Sequence, residues 1–285
     1  MSRPARTVTV ISHRRPAQTA GSLAALVAAA RACGAVLRLD DEETEKHQLA
    51  PGPGIELNAP RSPDVDLCVV LGGDGAILRG LREYVNTDVP VFAVNYGEVG
   101  FLATIEPDEV EDGFRNALCG DFEVVTLAAL ELDIDGERQI AVNDVSLQRR
   151  PGARVAQLAY GVDGEELGSV RADGLVVSTP VGSTGYNLAN GGPVLAWGVE
   201  GFVVSFIAPH SLTARALVVS PDDTLTIMNR SMEAVEVAVD GRLGWELAPG
   251  RALKATFVRS AVPLAVIPGS TFYRRLRTKF GRLSA

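Results

Sequence analysis

From Val65 to Leu71 the chain carries a single charge, then breaks into Gly72-Gly73-Asp74-Gly75 before Ile77, Leu78, Leu81 and Val85 recur with helix-face spacing. Such an apolar run reads as a parallel strand buried on both faces, and the periodic stretch behind it as a helix packed on the same sheet. The glycine loop then lies at a strand's carboxyl end, where open α/β sheets bind ligands and where the N–H groups opening a helix favour anions. Asp74 is itself an anion, so beside a phosphate it is a liability unless it takes a proton or meets a metal. The plainer reading is a tight turn in which Asp74 caps the helix.

The same alternation extends to both sides of this loop. Thr7 to Ile11 reads as a strand, and Leu23, Leu26, Val27 and Ala30 share a helix face that Gly34 ends. Ala35 to Leu39 is a second strand. Asp40 to Ala50 is polar and acidic and runs into Pro51-Gly52-Pro53-Gly54, which reads as a long surface loop, with His13 and His47 as solvated side chains in or near loops. Val89 to Val94 is another buried strand, ending in Asn95-Tyr96-Gly97-Glu98-Val99-Gly100-Phe101-Leu102. If its strand neighbours the first, the two glycine-bearing loops border one crevice. Pro107 starts a helix with Val110, Phe114 and Leu118 on one face and Gly120 at its end.

Beyond Phe122 the pattern becomes β-rich, with hairpin-type Asp-Gly pairs at Asp135-Gly136, Asp163-Gly164, Asp173-Gly174 and Asp240-Gly241. Ser178 to Leu195 is the exception, too dense in small and turn residues for a strand and suited to bringing backbone close to a ligand. The reading is two domains: an α/β domain of residues 1–121 with 268–285, and a mainly β domain of residues 122–267. The basic stretch Phe272 to Phe280 places Phe272, Leu276 and Phe280 on one helix face, which demands an apolar partner, so it docks on a domain surface; charge alone leaves a nucleic-acid contact open.

A net charge of −8 with 46% hydrophobic residues argues against a general nucleic-acid or membrane-surface binder. Cys33, Cys68 and Cys119 form no C-x-x-C pair, so neither a disulfide framework nor a cysteine-rich zinc site is indicated, and a reducing cytoplasm is the natural setting. The basic start, Met1 to Arg6, precedes an apolar run too short for a signal peptide, and no stretch is long enough to span a membrane.

Five blocks, in order, resemble the NAD kinases, which phosphorylate the adenosine ribose 2′-hydroxyl of NAD. They are Gly72-Gly73-Asp74-Gly75; Asn95-x-Gly97-x-x-Gly100-Phe101-Leu102; Asn143-Asp144; Asp173-Gly174 through Thr179-Pro180-x-Gly182-Ser183-Thr184-x-Tyr186 to Gly191-Gly192-Pro193; and Pro209-His210-Ser211-Leu212 with Arg215. The resemblance implies a Rossmann-like α/β domain, a β-sandwich-like domain and a C-terminal segment that returns to the first. It implies Asp74 as general base, Gly75 close to the dinucleotide, and Asn143 and Asp144 on its ribose and nicotinamide portions. Asp173 would hydrogen-bond the ligand, flanked by Arg154 and Arg171, and Thr184, Gly185, Tyr186, Asn187, Leu188 and Ala189 would wrap the adenosine. Gly72, Gly73, Arg79, Phe101, His210 and Arg242 would support the site. An arginine at the position of Arg171 accompanies preference for NAD over NADH in the family.

The implied cofactor is a divalent cation, magnesium by the same resemblance, with its ligands unassigned. The implied partners are NAD and a phosphate donor, ATP or polyphosphate, in a cytoplasmic homodimer or homotetramer with no nucleic acid and no membrane. Departures from the family pattern at Ala76, Val181, Gly185, Asn187, Ala189, Ala216 and Arg242 bear on the adenine pocket and on nicotinamide specificity. Lipid kinases and phosphofructokinases share similar glycine-aspartate loops, so a lipid or other small-molecule kinase is the alternative enzyme, though no amphipathic basic face suited to a membrane is seen. A non-catalytic NAD- or NADP-sensing protein would gain nothing from an unpaired carboxylate beside phosphates. No P-loop and no complete G-x-G-x-x-G at Gly73 point to a Walker ATPase or an ordinary dehydrogenase.

Overall fold

The computed structural model describes residues 4–281; residues 1–3 of the basic start and 282–285 of the C-terminal segment lie outside it. The chain divides into two compact units, Met1–Thr126 with Val262–Ala285, and Leu127–Ala261. It passes from one to the other within two long strands.

In the first unit β1 (Thr7–Ser12), α1 (Pro16–Cys33), β2 (Val36–Arg38), α2 (Asp41–His47), β3 (Ile55–Glu56), β4 (Leu67–Gly72), α3 (Asp74–Glu83), β5 (Val91–Asn95) and α4 (Val110–Cys119) follow in turn. The strands are parallel in the order β3-β2-β1-β4-β5. The chain moves outward from β1 through β2 to β3 and then starts again at β4 on the other side of β1. The carboxyl ends of β1 and β4 are therefore the topological switch point, the usual ligand crevice of such sheets. Every residue of β4 and β5 is buried, as their apolar runs require. Leu23, Leu26, Ala30, Phe114, Ala117 and Leu118 cover one face of the sheet in a single core. Gly34 and Gly120 end α1 and α4 in left-handed conformation, which glycine adopts without a Cβ clash.

Three readings of this unit need correction. Asp40 to Ala50 is no loop: α2 forms there because Asp40 caps it, accepting from Glu43 N at 2.8 Å, with acids in its first turn and Lys46 and His47 in its last. His47 is not solvated, its side chain being only 4% exposed. Val85 lies beyond α3 and is half-buried, and Tyr84 takes the core position instead.

The second unit contains β6 (Glu123–Ile134), which begins in the first unit, and β7 (Glu137–Ala141), β8 (Asp144–Arg149), β9 (Ala156–Val162), β10 (Glu165–Ala172) and β11 (Gly174–Ser178). After them come α5 (Tyr186–Ala189), β12 (Phe202–Ile207), β13 (Leu217–Val219), β14 (Leu225–Asn229), β15 (Val235–Val239), β16 (Arg242–Leu247) and β17 (Ala252–Val266), whose end lies in the first unit. One layer runs β10-β9-β14-β17-β6-β7 and the other β13-β12-β11-β8-β15-β16. Leu130, Leu158, Ile227 and Leu253 of the first layer share one core with Leu147, Val177, Val204 and Val237 of the second, which makes a β-sandwich.

Asp135-Gly136, Asp163-Gly164 and Asp240-Gly241 are two-residue hairpin turns with both φ angles positive. Asp173-Gly174 is not a hairpin: it carries the chain from β10 in one layer to β11 in the other. Glycine is required there because a Cβ on Gly174 would fall 2.3 Å from the Leu147 carbonyl oxygen.

Back in the first unit, the end of β17 pairs in parallel with β5, and α6 (Phe272–Phe280) closes the described chain. Phe272 and Phe280 pack on Phe101, with ring centroids 5.7 and 5.8 Å away. The Arg275 guanidinium donates to the carbonyls of Phe101 and Ala103, and Lys279 reaches Glu106 at 2.8 Å. Much of the positive charge of α6 is thus directed at the loop after β5.

Candidate functional site

Because β4 and β5 are neighbours, their terminal loops meet. A Cβ on Gly73 would lie 3.0 Å from the Gly97 Cα, and one on Gly97 would lie 2.9 Å from the Gly73 Cα, so the two backbones touch where any side chain would hold them apart. Tyr96 N donates to the Gly72 carbonyl at 3.1 Å, and the Tyr96 hydroxyl pairs with Ser22 Oγ of α1 at 2.5 Å. Gly100, at φ 62°, curls over Asn95, whose amide bonds Glu106 and the Gly97 N–H.

This packing fixes Asp74. Gly73 is the residue that precedes α3, with extended backbone and no side chain to cap it, so Asp74 opens the helix but does not cap it. Its carboxylate turns to the second loop, accepting from Gly100 N at 3.1 Å on one oxygen and from Leu102 N at 3.2 Å on the other. Each oxygen keeps lone-pair capacity for another donor. Gly75 beside it is exposed, and a Cβ there would meet nothing within 4 Å. The fold does not need that glycine. Phe101 is buried under α6 and anchors the loop.

Across the switch point Arg79 donates to the Ser12 carbonyl at 3.0 Å and to Glu43 at 3.3 Å. Glu43 is fully buried, receiving Ser12 N at 2.9 Å, Ser12 Oγ at 2.5 Å and Lys46 Nζ at 2.8 Å. Since the Ser12 proton goes to Glu43, His47 Nε2, 2.7 Å from Ser12 Oγ, donates to it. Burial holds the His47 pKa down in spite of Glu43. Arg79 thus locks the end of β1 to α2 and α3.

The second unit builds a different site. The Asp240 carboxylate accepts the N–H groups of Val142, Asn143 and Asp144 at 3.1, 2.7 and 3.2 Å. Asp144 is only 8% exposed, and burial together with the Asp240 charge pushes its pKa up to about 7. Asn143 Oδ1 is sheltered from solvent without a hydrogen-bond partner. The loop after β11 lies on this segment: Thr179 donates through N and Oγ1 to the carbonyls of Asn143 and Val142, and a Cβ on Gly182 would fall 2.0 Å from the Asn143 carbonyl oxygen. Asn187 is fully buried, and its amide donates to the Ser183 and Pro193 carbonyls, so it holds the loop together.

Asp173 is bonded by Arg149 Nε at 2.6 Å, and this bond, with a smaller effect of the His210 charge, holds its pKa below the usual range. Burial raises the Tyr186 pKa, with the Asp144 and Asp173 charges acting in the same direction. His210 is exposed, and its N–H donates to the Arg171 carbonyl at 2.7 Å. Gly185 and Ala189 are exposed and Thr184 and Leu188 half-buried. Asn143 and Asp144 lie at one end of the β8–β11 pair, where Asp144 stands opposite Ser178, and Asp173 lies with Arg149 and His210 at the other, where Gly174 stands opposite Gln148; the exposed Arg154, Arg171 and Arg242 show no side-chain hydrogen bond to either group. Sequence reading overlooked Arg149 and Asp240 as site builders; both come from β-hairpins and strands whose register alone brings them in.

Residues 39–122 match the ATP-NAD kinase N-terminal domain and residues 142–267 the ATP-NAD kinase C-terminal domain. A NAD kinase of Gemmatimonas aurantiaca is 39% identical over 224 residues, covering 76% of this chain and 78% of that protein. A NAD kinase of Bifidobacterium longum subsp. infantis is 34% identical over 283 residues, 96% of this chain and 82% of that protein. Among solved structures, a yeast NADH kinase complexed with NADH shares the fold at TM-score 0.88 and 24% identity, over 99% of this chain and 89% of that one. A NAD kinase from Archaeoglobus fulgidus in complex with ATP superposes with TM-score 0.74 at 25% identity, over 98% of both chains. With a glycine-bound aspartate at the switch point of one unit, a buried carboxylate site in the other, and relatives of this extent, the chain belongs to the NAD kinase family.

Proposed function

We propose that the chain transfers the terminal phosphoryl group of ATP or polyphosphate to the adenosine ribose 2′-hydroxyl of NAD, giving NADP, with Asp74 as the general base. The observation that carries the assignment of the base is the Asp74 carboxylate, aimed by two backbone N–H groups at the carboxyl end of β4 with capacity left on both oxygens. Phosphoryl transfer depends on positioning and charge neutralisation, and a base that accepts the hydroxyl proton as the phosphorus–oxygen bond forms adds about 10²–10⁴-fold. The open backbone at Gly75, beside the amino end of α3, suits close approach of an anionic ligand.

In the second unit, Asn143 and Asp144 bind the ribose and nicotinamide portions. The unpartnered Asn143 Oδ1 supports this, because a sheltered acceptor awaits a donor. Asp173, fixed by Arg149, accepts from the ligand, and Thr184, Gly185, Tyr186, Leu188 and Ala189 lie along the adenosine while Asn187 shapes their loop. His210 supports the Asp173 side. Arg171 favours NAD over NADH.

Among the described residues no group of three or more His, Cys, Asp or Glu side chains stands ready for a metal. Magnesium keeps several waters and needs only one or two protein carboxylates beside the donor phosphates, and the Asp74 carboxylate, with capacity left on its oxygens, is the group that would hold it. When bound, the cation neutralises charge on the transferred phosphoryl group. No described helix is long and apolar enough to cross a membrane, and the reading is a cytoplasmic homodimer or homotetramer. The test is to incubate the purified protein with NAD, magnesium and either donor and to detect NADP. NADP from one donor supports the proposal; none from either donor, with NAD bound, overturns it.

A further inference from the structure

Among the described helix pairs α1 and α4 make the most extensive contact, and both end on a cysteine, Cys33 and Cys119. The left-handed glycine behind each, Gly34 and Gly120, turns the chain away and leaves the two helix ends side by side. Ala30, Ala117 and Leu118 lie in one buried cluster on which Cys33 also packs, so the core beneath holds the ends together. Both helix ends meet the start of β1: Ala5 N donates to the Leu118 carbonyl at 2.9 Å, and Val36 N, just past Gly34, to the Arg6 carbonyl at 2.8 Å. Cys119 is exposed and Cys33 half-buried, whereas Cys68 is sealed inside β4.

We propose that Cys33 and Cys119 form a peroxide-responsive dithiol that closes into a disulfide across α1 and α4. Cys119, open to solvent, attacks one oxygen of a hydroperoxide as its thiolate. The O–O bond breaks, an alcohol (water, for hydrogen peroxide) leaves, and Cys119 becomes a sulfenic acid. The Cys33 sulfur then attacks the Cys119 sulfur, and the departing hydroxide takes the Cys33 proton and leaves as water. Two thiols and one hydroperoxide give one disulfide, one alcohol and one water; the cysteines lose two electrons and the peroxide gains them. Burial and the neighbouring sulfur raise the Cys33 pKa against the pull of Arg115, which suits Cys33 to the second step and not the first. The bond would close a loop holding β2 to β5 and so constrain the unfolded chain.

The test treats the reduced full-length protein, in its native state, with a small excess of hydrogen peroxide and follows intact mass, free thiols and peptide maps. The expected product is a single uncrosslinked chain by intact mass, two hydrogens lighter, contains a linked Cys33–Cys119 peptide, melts several degrees higher and reverts with dithiothreitol. Cys33→Ser should stop at a sulfenic acid on Cys119 that dimedone traps, and Cys119→Ser should form no bridge. Oxygen added at Cys119 of the wild-type protein without a bridge, a covalent dimer through Cys119, or linkage to Cys68 would each overturn the proposal.

Discussion

The two units hold their carboxylates in opposite ways. In the first, Asp74 sits at the rim of a parallel sheet, tied by two N–H groups in a turn that exists because Gly73 and Gly97 let two backbones touch. In the second, Asp144 lies beneath the surface beside a second carboxylate, Asp240, which is engaged with three backbone N–H groups. The first arrangement holds each carboxylate oxygen by a single N–H and leaves lone-pair capacity on both. The second makes a carboxyl that is neutral over part of the physiological range and so able to donate a hydrogen bond as well as accept one. On the proposed reading, one fold provides a base and a polar binding surface by varying what surrounds the same side chain.

The contrast can be broken most sharply at the glycines. Gly182→Ala places a Cβ against the Asn143 carbonyl oxygen at 2.0 Å, so the loop after β11 must shift. The expected cost is about 1–3 kcal/mol by the overpacking scale, read as a lower Tm, together with weakened NAD binding by calorimetry. An unchanged Tm would mean that the second site is not built by this close approach.

The pH dependence sharpens it next. Asp144 is raised from an ordinary carboxylate value to about 7, so the folded state holds a proton that the unfolded chain releases near pH 4. The stability from this preference is full below the unfolded pKa and is lost as pH rises through about 7. At 1.36 kcal/mol per unit the loss is on the order of a few kcal/mol. Asp144→Asn should therefore gain stability relative to wild type between pH 5 and 8 and lose that advantage below pH 4 in denaturant titrations. Parallel curves at all pH values would remove the buried-acid account.

The smallest effect on stability belongs to Gly75→Ala. Its Cβ meets nothing, and alanine favours a helix, so Tm should stay level or rise slightly. KM for NAD or for the donor should rise instead, since the methyl group occupies the surface assigned to ligand. A lower Tm with unchanged KM would reverse that assignment.

How far each site could be read from the sequence follows the same division. The β4–α3 turn was legible because an apolar strand, a glycine run and a helix period are all local signals, and neighbouring parallel strands bring the Asn95 to Leu102 loop alongside. The Asp74 hydrogen bonds were not legible, because capping is the local expectation and the long-range loop prevailed. Helix α2 was missed because its stability comes from Asp40 capping and from Glu43 buried against Ser12, Lys46 and Arg79, and not from an apolar stripe. Asp173-Gly174 has hairpin composition, yet its glycine serves packing against β8. Arg149 and Asp240 stayed hidden because strand register, which no short window encodes, sets their partners.

The most direct measurement of the central claim is NADP formation by Asp74→Asn, with NAD affinity and Tm measured on the same preparation. Asparagine can still accept one of the two N–H bonds but turns an NH₂ toward the other, so a loss of about 1–3 kcal/mol in stability is expected. The account predicts a folded variant that binds NAD within about threefold of wild type while kcat falls by at least about two orders of magnitude, the general-base scale. A variant that makes NADP at near wild-type kcat and differs only in Tm would show that Asp74 ties two loops together and that the base lies elsewhere.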